Sequence, residues 1–454
     1  MSLFGMLGMA SKALDAQRYG LDVVGNNLAN VNTKGYSKRV ADFGAVPPVD
    51  RFSAGNGVEV LGVRSMRDRL YDQRLFDELP LAQQQAAMGD ALALAEVALG
   101  RPGQSIDAAL SDFFDAFAEL ADAPHSTTAR QQVVAQGEAL AGAFNGMASR
   151  LSDAARATDA RVRDDVRKVN ELTSRIASLN ESIAASDPSQ TLHLRDEQTE
   201  AVKALSGLIG TQVLELGNGE VQVATRNGRP LVIGSTAYGL MAQSGPPSGH
   251  ASVIAGGVDI TAEIKDGHLA GLITARDSQV PAYLSQLDAL AHEVATQVNA
   301  LHATGYDLSG GAGGPFFQAP AGVAGAATSL AMHAAVVADP SLVAAAGIPS
   351  AGDNQVARKL ADLRDAAMVG GATPEAAWAA LVYRVGGDVS RAHAERTSRD
   401  EIVAQIEQLR DSVSGVSIDE EAAMMLRFQC AYEANARFFT VIDETLQTLL
   451  SLKR

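Results

Sequence analysis

The sequence predicts a mainly α-helical α+β protein, in which long terminal helices form a coiled-coil-like inner domain beside a central helical-bundle domain and a small antiparallel β module. Three observations predict this class. Apolar residues recur at every seventh position near both ends of the chain, which is typical of helices with a narrow apolar seam. Between residues 208 and 266 the apolar period changes to two, as in strands. The 454 residues have room for about three domains.

The first predicted helix carries two apolar rows interrupted by glycines. The glycines at positions 5, 8, 20 and 25 each cost about 1 kcal/mol relative to alanine inside a helix. We therefore expect this helix to be marginally stable until it packs against a partner. The two rows are Leu7, Leu14, Leu21 and Leu28, and Ala10, Gln17, Val24 and Val31.

A second heptad helix is predicted from Ile418 towards the C-terminus. Asp419, Glu420 and Glu421 place negative charge in its first turn, which the helix dipole favours. Because such seams are narrower than the core face of a globular helix, we expect the two terminal helices to pair with each other or with copies of themselves. The predicted assembly interface comprises Leu14, Leu21, Val24, Leu28, Val31, Met425, Phe428, Tyr432, Phe439, Ile442, Leu446 and Leu449.

The centre of the chain combines helical segments with one β-rich segment. Helical periodicity covers residues 80–185 and 277–301. Asn218-Gly219 and Asn227-Gly228 separate short β-rich runs and predict a three-stranded meander. Nearer the N-terminus, Gly55-Asn56-Gly57 predicts a tight hairpin turn before a strand. The predicted domains are 1–50 with 410–454 (terminal helices), 51–205 with 270–409 (central, mainly helical) and 206–269 (β module).

Composition excludes several kinds of partner. The net charge of -16 argues against a nucleic-acid partner, because phosphate neutralisation needs clustered Lys and Arg. No apolar run approaches the roughly 18 residues of a membrane span, so we expect no membrane insertion. The N-terminus lacks the basic start of a secretory signal. Cys430 is the single cysteine, so no internal disulfide can form; we expect a buried, unreactive thiol, with bridges between molecules as the alternative.

The motifs of common enzyme and metal sites are absent from the sequence. His292-Glu293 is not followed by the second histidine of a zinc-protease motif. The Gly-rich stretch 310–314 lacks the Lys of a phosphate-binding loop and is interpreted as a flexible turn. No Gly-x-Ser-x-Gly nucleophile motif occurs. We expect no catalytic residue, no metal and no cofactor, and hence no enzyme.

The stretch "GNNLANVNTKGYSKR" places four asparagines at the end of the first helix. It resembles the N-terminal motif of the bacterial flagellar rod, hook and hook-associated subunits, the axial protein family. The resemblance implies that Asn30, Asn32 and Gly35 turn the chain out of the helix, because Asn and Gly tolerate left-handed backbone. Asn26 and Asn27 would sit on the helix and hydrogen-bond to neighbouring groups. With Tyr36, these residues are the family motif.

Further segments narrow the resemblance to the subunits at the hook-filament junction. They include "HLAGLITARDSQVPAYLSQLDALAHEVATQVNALHATGYDLSG", "GDNQVARKLADLR" and the C-terminal "EEAAMMLRFQCAYEANARFFTVIDETLQTLLSL". The resemblance implies a structural subunit of the bacterial flagellum that forms a ring with copies of itself and contacts the hook protein and a second junction protein. It also implies export by the flagellar type III apparatus without a cleaved signal, an extracellular location, and a chaperone that binds the C-terminal region.

Two other functions remain open on the sequence. The chain could be a different axial subunit, distinguished by the hook or filament subunits that it binds. It could also be a secreted hydrolase that carries axial-protein ends, which a deep pocket with clustered carboxylates within residues 80–400 would favour. The chain is shorter than many members of the family that it resembles, which leaves open whether an outer domain is lost or reduced to the 208–266 segment.

Overall fold

The structure, a computed structural model, describes residues 3–48, 55–100, 105–187, 190–245 and 249–451. The α-helices of at least seven residues are α1 (Leu3–Ala29), α2 (Arg69–Leu99), α3 (Ile106–Asp122), α4 (Thr127–Ala185), α5 (Leu192–Leu208), α6 (His268–Thr274), α7 (Val280–His302), α10 (Gln355–Ala361), α11 (Pro374–Ser414) and α12 (Ile418–Ser451). Two shorter helices are α8 (Ala326–Ser329) and α9 (Ala334–Ala338). The strands are β1 (Arg39–Ala45), β2 (Val58–Ser65), β3 (Thr211–Glu215), β4 (Val221–Thr225), β5 (Pro230–Ile233), β6 (Thr236–Ala237), β7 (Leu240–Ser244), β8 (Ala251–Ala255) and β9 (Val258–Asp259).

The long helices begin at residues that suit helix starts. Ser126 caps α4, its Oγ accepting a hydrogen bond from the Ala129 amide at 3.2 Å. Thr373 caps α11 in the same way, through the Ala376 amide. Such side-chain caps satisfy amides that the first helical turn leaves unpaired. The predicted fold class, mainly helical with long terminal helices and small antiparallel sheets, is confirmed.

The β segment contains more strands than the meander that the sequence predicts. One antiparallel sheet has the order β3-β4-β5-β6 and a second has the order β7-β8-β9. Four strands, β6 to β9, lie beyond the predicted meander. Of these, β6 and β9 are two residues long each, which is too short to show an alternating pattern. The three predicted strands are present as β3, β4 and β5, and β6 was not predicted because a strand of two residues is recognised only through its partner's register.

A separate two-stranded sheet follows α1. β1 and β2 are antiparallel from Arg39 opposite Ser65 to Ala45 opposite Val58, with a bulge at Asp42 and Phe43. The predicted strand after Gly57 is thus present. The turn before it is not the tight two-residue type, because the connection runs from residue 46 to residue 57 and includes residues outside the described ones.

Side-chain amides of α4 hydrogen-bond to the sheet that contains β4 and to the sheet that contains β7. Asn170 Nδ2 donates to the Leu240 carbonyl at 2.8 Å, and the Leu240 amide donates to Asn170 Oδ1 at 2.7 Å. Asn180 pairs in the same way with both backbone groups of Val221, at 2.8 and 3.0 Å. An amide that binds both backbone groups of one residue imitates the next strand of a sheet. The β7 and β4 strands therefore start at positions that α4 sets.

An aromatic cluster lies at the centre of the core. Phe113 and Phe117 on α3 meet Phe316 and Phe317, with ring centroids 5.0–5.8 Å apart. Such edge and tilted contacts are the preferred arrangement of aromatic rings. Within the Gly-rich stretch before these phenylalanines, Gly313 packs closely, since a Cβ there would lie 2.2 Å from the His302 carbonyl oxygen. The interpretation of the whole stretch as a flexible turn stays a prediction.

His302 provides a pH-dependent contribution to stability. It is fully buried; its Nδ1 donates to the Gly314 carbonyl at 2.6 Å and its Nε2 accepts from the Ala344 amide at 2.8 Å. Burial lowers the pKa of His302 to about 4. Because the folded state resists protonation, the contribution is complete above about pH 6.5 and is lost as pH falls towards 4, a loss on the order of 3 kcal/mol.

We expect His302→Gln to reduce the difference in unfolding free energy between pH 7 and pH 4 by about that amount. Urea unfolding at the two pH values measures it. The control is His393→Gln, because His393 is exposed on α11. An unchanged pH dependence in the His302 variant would contradict the assignment.

Candidate assembly site at the paired terminal helices

The two terminal helices lie antiparallel within one chain. Gly20 of α1 faces Phe428 of α12 so closely that a Cβ there would lie 2.6 Å from the ring. One end of the pair is marked by Asn27, whose Nδ2 donates to Glu421 at 3.0 Å. Of the two arrangements that the sequence leaves open, the structure thus shows the pairing of the helices with each other. We call this pair, α1 with α12, the terminal hairpin.

The sheet formed by β1 and β2 packs beside the terminal hairpin. The Phe43 ring meets the Phe428 ring edge to face, with centroids 6.2 Å apart. Between α1, β1 and α12 lies an apolar groove of about 830 Å³. Its lining includes Ala16, Val23, Val40, Val58, Met424 and Ala431, and its rim carries Lys38, Glu420 and Arg427.

The structure places the predicted interface residues at three levels of exposure. Val24 and Ile442 are 4% exposed and lie inside the terminal hairpin. Tyr432 and Leu449 are exposed. The others are partly buried: Leu14, Leu21, Leu28, Val31, Met425, Phe428, Phe439 and Leu446. The buried members stabilise the hairpin itself, and a role of the whole set in subunit packing stays a prediction.

A second apolar surface on α12 was missed by the heptad rows. Leu426, Phe438 and Val441 are 62%, 41% and 59% exposed. Cys430 is exposed on the same helix, so the expectation of a buried thiol is wrong. Steps of four, eight and three residues place these side chains on one helix face. We call these four residues the outward face; their spacing was a usable signal, but the heptad template selects only the opposite rows.

The outward positions of α1 are charged. Lys12, Asp15, Arg18 and Asp22 are all exposed. Their spacing of three and four residues is that of a solvated helix face. The terminal hairpin therefore exposes these charged residues and Phe4 on α1, whereas the exposed face of α12 combines the outward face with charged side chains such as Arg437 and Glu444.

Asn27 organises the end of the terminal hairpin. It is 1% exposed, and its Oδ1 accepts from the Arg39 amide at 3.0 Å while its Nδ2 donates to the Arg39 carbonyl at 2.8 Å. Tyr36 Oη lies 2.8 Å from Asn27 Oδ1 and 3.0 Å from Asn26 Oδ1. Burial raises the pKa of the Tyr36 phenol, which keeps it a donor.

The other motif residues end α1. Asn30 Nδ2 donates to the Asn26 carbonyl at 2.9 Å, and Thr33 Oγ1 donates to Asn30 Oδ1 at 3.1 Å. Gly35 has φ +80°, whereas no non-glycine residue of the described chain has positive φ. The implied left-handed turn is therefore present at Gly35 only. The Asn30 side-chain amide adds a second hydrogen bond to the Asn26 carbonyl, which also accepts from the Asn30 backbone amide, and Asn32 is exposed.

Backbone hydrogen bonds at Lys38 join the segment that follows α1 to the segment that precedes α12. The Lys38 amide donates to the Ser414 carbonyl at 2.8 Å, and the Met66 amide donates to the Lys38 carbonyl at 2.8 Å. Ser414 Oγ donates to the Met66 carbonyl at 3.1 Å. The chain therefore leaves α1 and enters α12 at the same place.

Charged groups surround this tie. Lys38 Nζ lies 2.7 Å from Glu420 and 3.2 Å from the buried Glu421. Burial opposes the ammonium charge, but the hydrogen bonds to both carboxylates outweigh it and raise the pKa of Lys38. Arg39 reaches Asp196 on α5 at 3.3 Å and stacks on the Tyr36 ring. Burial raises the pKa of Asp196 despite that partner.

Metal-binding clusters and membrane-spanning helices are both absent from the described residues. Among them, no cluster of three or more His, Cys, Asp or Glu side chains is arranged to hold a metal ion. In the same part of the chain, no helix combines the length and the apolar character that crossing a membrane requires.

Known families match three segments of the chain in order. The flagella basal body rod protein family matches residues 7–36. The flagellar hook-associated protein FlgK helical domain matches residues 92–317. The C-terminal family of the flagellar basal body rod FlgEFG proteins matches residues 408–452. The two end matches cover most of α1 and α12, and the middle match covers α3 to α7.

Full-length relatives agree with these matches. Flagellar hook-associated protein 1 of Bacillus subtilis is 28% identical over 498 residues, which cover 99% of this chain and 98% of the relative. The protein of that name from Salmonella typhimurium is 25% identical over 557 residues, which cover 99% of this chain and all of the relative. The chain belongs to the flagellar hook-associated protein 1 family. The family is one of structural proteins of the bacterial flagellum.

A solved structure shares the fold of this family member. The flagellar hook junction protein FlgK from Burkholderia pseudomallei superposes with a TM-score of 0.67 at 18% identity, and the match covers 75% of this chain and all of that one. At that identity the likeness concerns the fold alone.

Proposed function

We propose that this chain is a structural subunit that joins hook to filament, in a ring of copies formed through its terminal hairpin. The observation that carries the proposal is the outward face of α12, which exposes Leu426, Phe438 and Val441. Exposed apolar side chains clustered on one helix face are typical of protein interfaces. The family's place in the flagellum supports the same assignment, with the hook protein and a second junction protein as neighbours.

Assembly would supply stability that the terminal hairpin lacks by itself. Within the described part of α12, only Glu421 and Ile442 are buried. Burying one large aliphatic side chain contributes about 1.5–3 kcal/mol, whereas ordering each residue costs about 1–2 kcal/mol of backbone entropy. Contact with neighbouring subunits would cover the rest of α12. We therefore propose that the hairpin becomes fully stable when it assembles.

The same exposed surface supports the proposals on export. A chaperone that binds the C-terminal region would cover the outward face of α12 before assembly, when it is open to aggregation. Passage through the flagellar type III apparatus to the cell exterior requires a chain that unfolds readily, and the sparse burial in α12 suits that requirement. The division into terminal, central and β domains stays a proposal that goes with this mechanism.

Val441→Asp tests the assembly surface. Val441 is exposed on α12, so the carboxylate can stay in water in the isolated chain. In the ring it would be buried against a neighbour, which is costly for an unpaired charge. We expect the variant to be exported but absent from hook-filament junctions. In a strain that lacks the native protein and produces the variant, both the variant and unassembled filament subunits should then appear in the culture medium.

The matched control is Val97→Asp. Val97 is 80% exposed on α2, away from both terminal helices. We expect it to enter junctions in normal number, as counted by immunogold electron microscopy of purified hooks. Normal incorporation of Val441→Asp would contradict the assignment of the outward face as the subunit contact.

A further inference from the structure

We propose that Asn27 is a positioning residue that fixes the register of α12 against α1. This proposal deepens the proposed function, because the register decides which side chains of the terminal hairpin face neighbouring subunits. It rests on the hydrogen bonds of one buried amide and on the repetition in the apolar rows around it.

The apolar rows alone leave the register undetermined. Leu7, Leu14, Leu21 and Leu28 repeat one residue type at intervals of seven. The two facing rows of α12 are apolar or aromatic at eight of ten heptad positions, the exceptions being Glu421 and Asn435. Sliding one helix past the other by a heptad therefore keeps most of the apolar side chains against other apolar side chains. In coiled coils a single buried polar residue breaks this equivalence, at some cost in stability.

Asn27 has the hydrogen-bond partners that such a residue needs. Its amide has two donor hydrogens and two acceptor lone pairs. The hydrogens go to Glu421 and to the Arg39 carbonyl, and the oxygen meets the Arg39 amide and Tyr36 Oη. All the hydrogen-bonding capacity of this buried side chain is used. The bond to Glu421 is the one that crosses to the other terminal helix.

A shifted register would leave the Asn27 amide and the Glu421 carboxylate without each other as hydrogen-bond partners. Glu421 is 2% exposed and is held by Asn27 and Lys38. A seven-residue slide of α12 would put Phe428 where Glu421 stands, and an aromatic ring offers no carboxylate to the Asn27 amide. Leaving a buried donor or a buried charge unpaired is far more costly than exchanging one apolar contact for another. The close fit of Gly20 against Phe428 would be lost in the same slide.

The same amide geometry occurs where helices position strands in the body of the protein. Asn170 and Asn180 each bind both backbone groups of one strand residue, as Asn27 binds both backbone groups of Arg39. Among these three asparagines, Asn27 is the one that also binds a carboxylate from the opposite end of the chain. Asn27 therefore links the position of β1 to the register of α12, in addition to the backbone bonds at Lys38.

Distance measurements between spin labels on the full-length monomer test the proposal. Native Cys430 is exposed and provides one label, and Arg18→Cys provides the other at an exposed position of α1. We expect one narrow distance with Asn27 present. In Asn27→Leu we expect a second population at a longer distance, because a seven-residue slide moves the two labels, which are level in the native pair, about 10 Å out of step along the helix axis.

The matched control is Asn30→Ala, because the hydrogen bonds of the Asn30 side chain stay within the motif and do not reach α12. It should keep the single distance. A single unchanged distance in Asn27→Leu would overturn the proposal. A broad distribution without peaks would also overturn it, since the amide would then be needed for pairing and not for register. The measurement uses the unassembled chain, so its failure leaves the hook-filament role to the test with Val441→Asp.

Discussion

Replacing Ile442 by Asp is expected to unfold the terminal hairpin and to abolish incorporation at the junction, while the central helices stay folded. Ile442 is 4% exposed and is the buried aliphatic residue of α12. The substitution removes its apolar contribution of about 1.5–3 kcal/mol. It also buries a carboxylate whose desolvation costs several kcal/mol. Because little else in α12 is buried, the hairpin has no reserve to absorb this loss.

Hydrogen exchange on the monomer separates this effect from a general loss of folding. We expect amides of α1 and α12 to exchange rapidly in Ile442→Asp, with α4 and α7 protected as in the parent chain. Val441→Asp is the control at the adjacent position, and it should retain protection in α12 because its carboxylate points to water. Normal junction incorporation of Ile442→Asp would contradict the role of the seam.

Gly271→Ala is expected to destabilise the body of the protein by about 3 kcal/mol, at the upper end of the usual cost of overpacking. A Cβ on Gly271 would lie 2.2 Å from the Gln84 carbonyl oxygen and 2.9 Å from the Met88 amide nitrogen. Both are backbone atoms of α2, which a rotamer change cannot move. The α6 and α2 helices would have to separate to accept one methyl group.

The control for that substitution is Gly142→Ala in α4. Nothing lies within 4 Å of the position of its Cβ, so alanine should stabilise the helix by up to about 1 kcal/mol. Urea unfolding followed by circular dichroism compares the two variants with the parent chain. Changes of the same sign in the unfolding free energy of both variants would contradict the close packing of α6 against α2.

The terminal helices could be predicted from sequence because a heptad repeat depends on residues that are close along the chain. The starts of β4 and β7 could not. Val221 and Leu240 are positioned by Asn180 and Asn170, which are 41 and 70 residues away. An asparagine inside a helix carries no mark of the strand that it will bind. Long-range amide pairing is therefore invisible to periodicity.

The candidate site was predictable in part for a similar reason. The motif indicated the helix end, and its glycine has the expected left-handed backbone. Asn30 contributes side-chain hydrogen bonds to Asn26 and Thr33 at the helix end, which backbone preference alone does not indicate. The outward face of α12 was missed because the heptad rows run through the adjacent Met425 and Phe439, and Leu426 and Phe438 become a surface only when those rows pair with α1.

The backbone bonds at Lys38 have a consequence for the order in which the protein folds. Asn27 and Glu421 are 394 residues apart in sequence, and closing so long a loop early would carry a large entropic cost. Once the body has folded, the bonds among Lys38, Met66 and Ser414 hold both helix roots together. The two helices then have only short segments to bring together. Pairing of α1 with α12 therefore becomes a fast local step that follows the slower folding of the rest of the chain. A nascent N-terminal helix must therefore wait, unpartnered, until the last part of the chain has been synthesised.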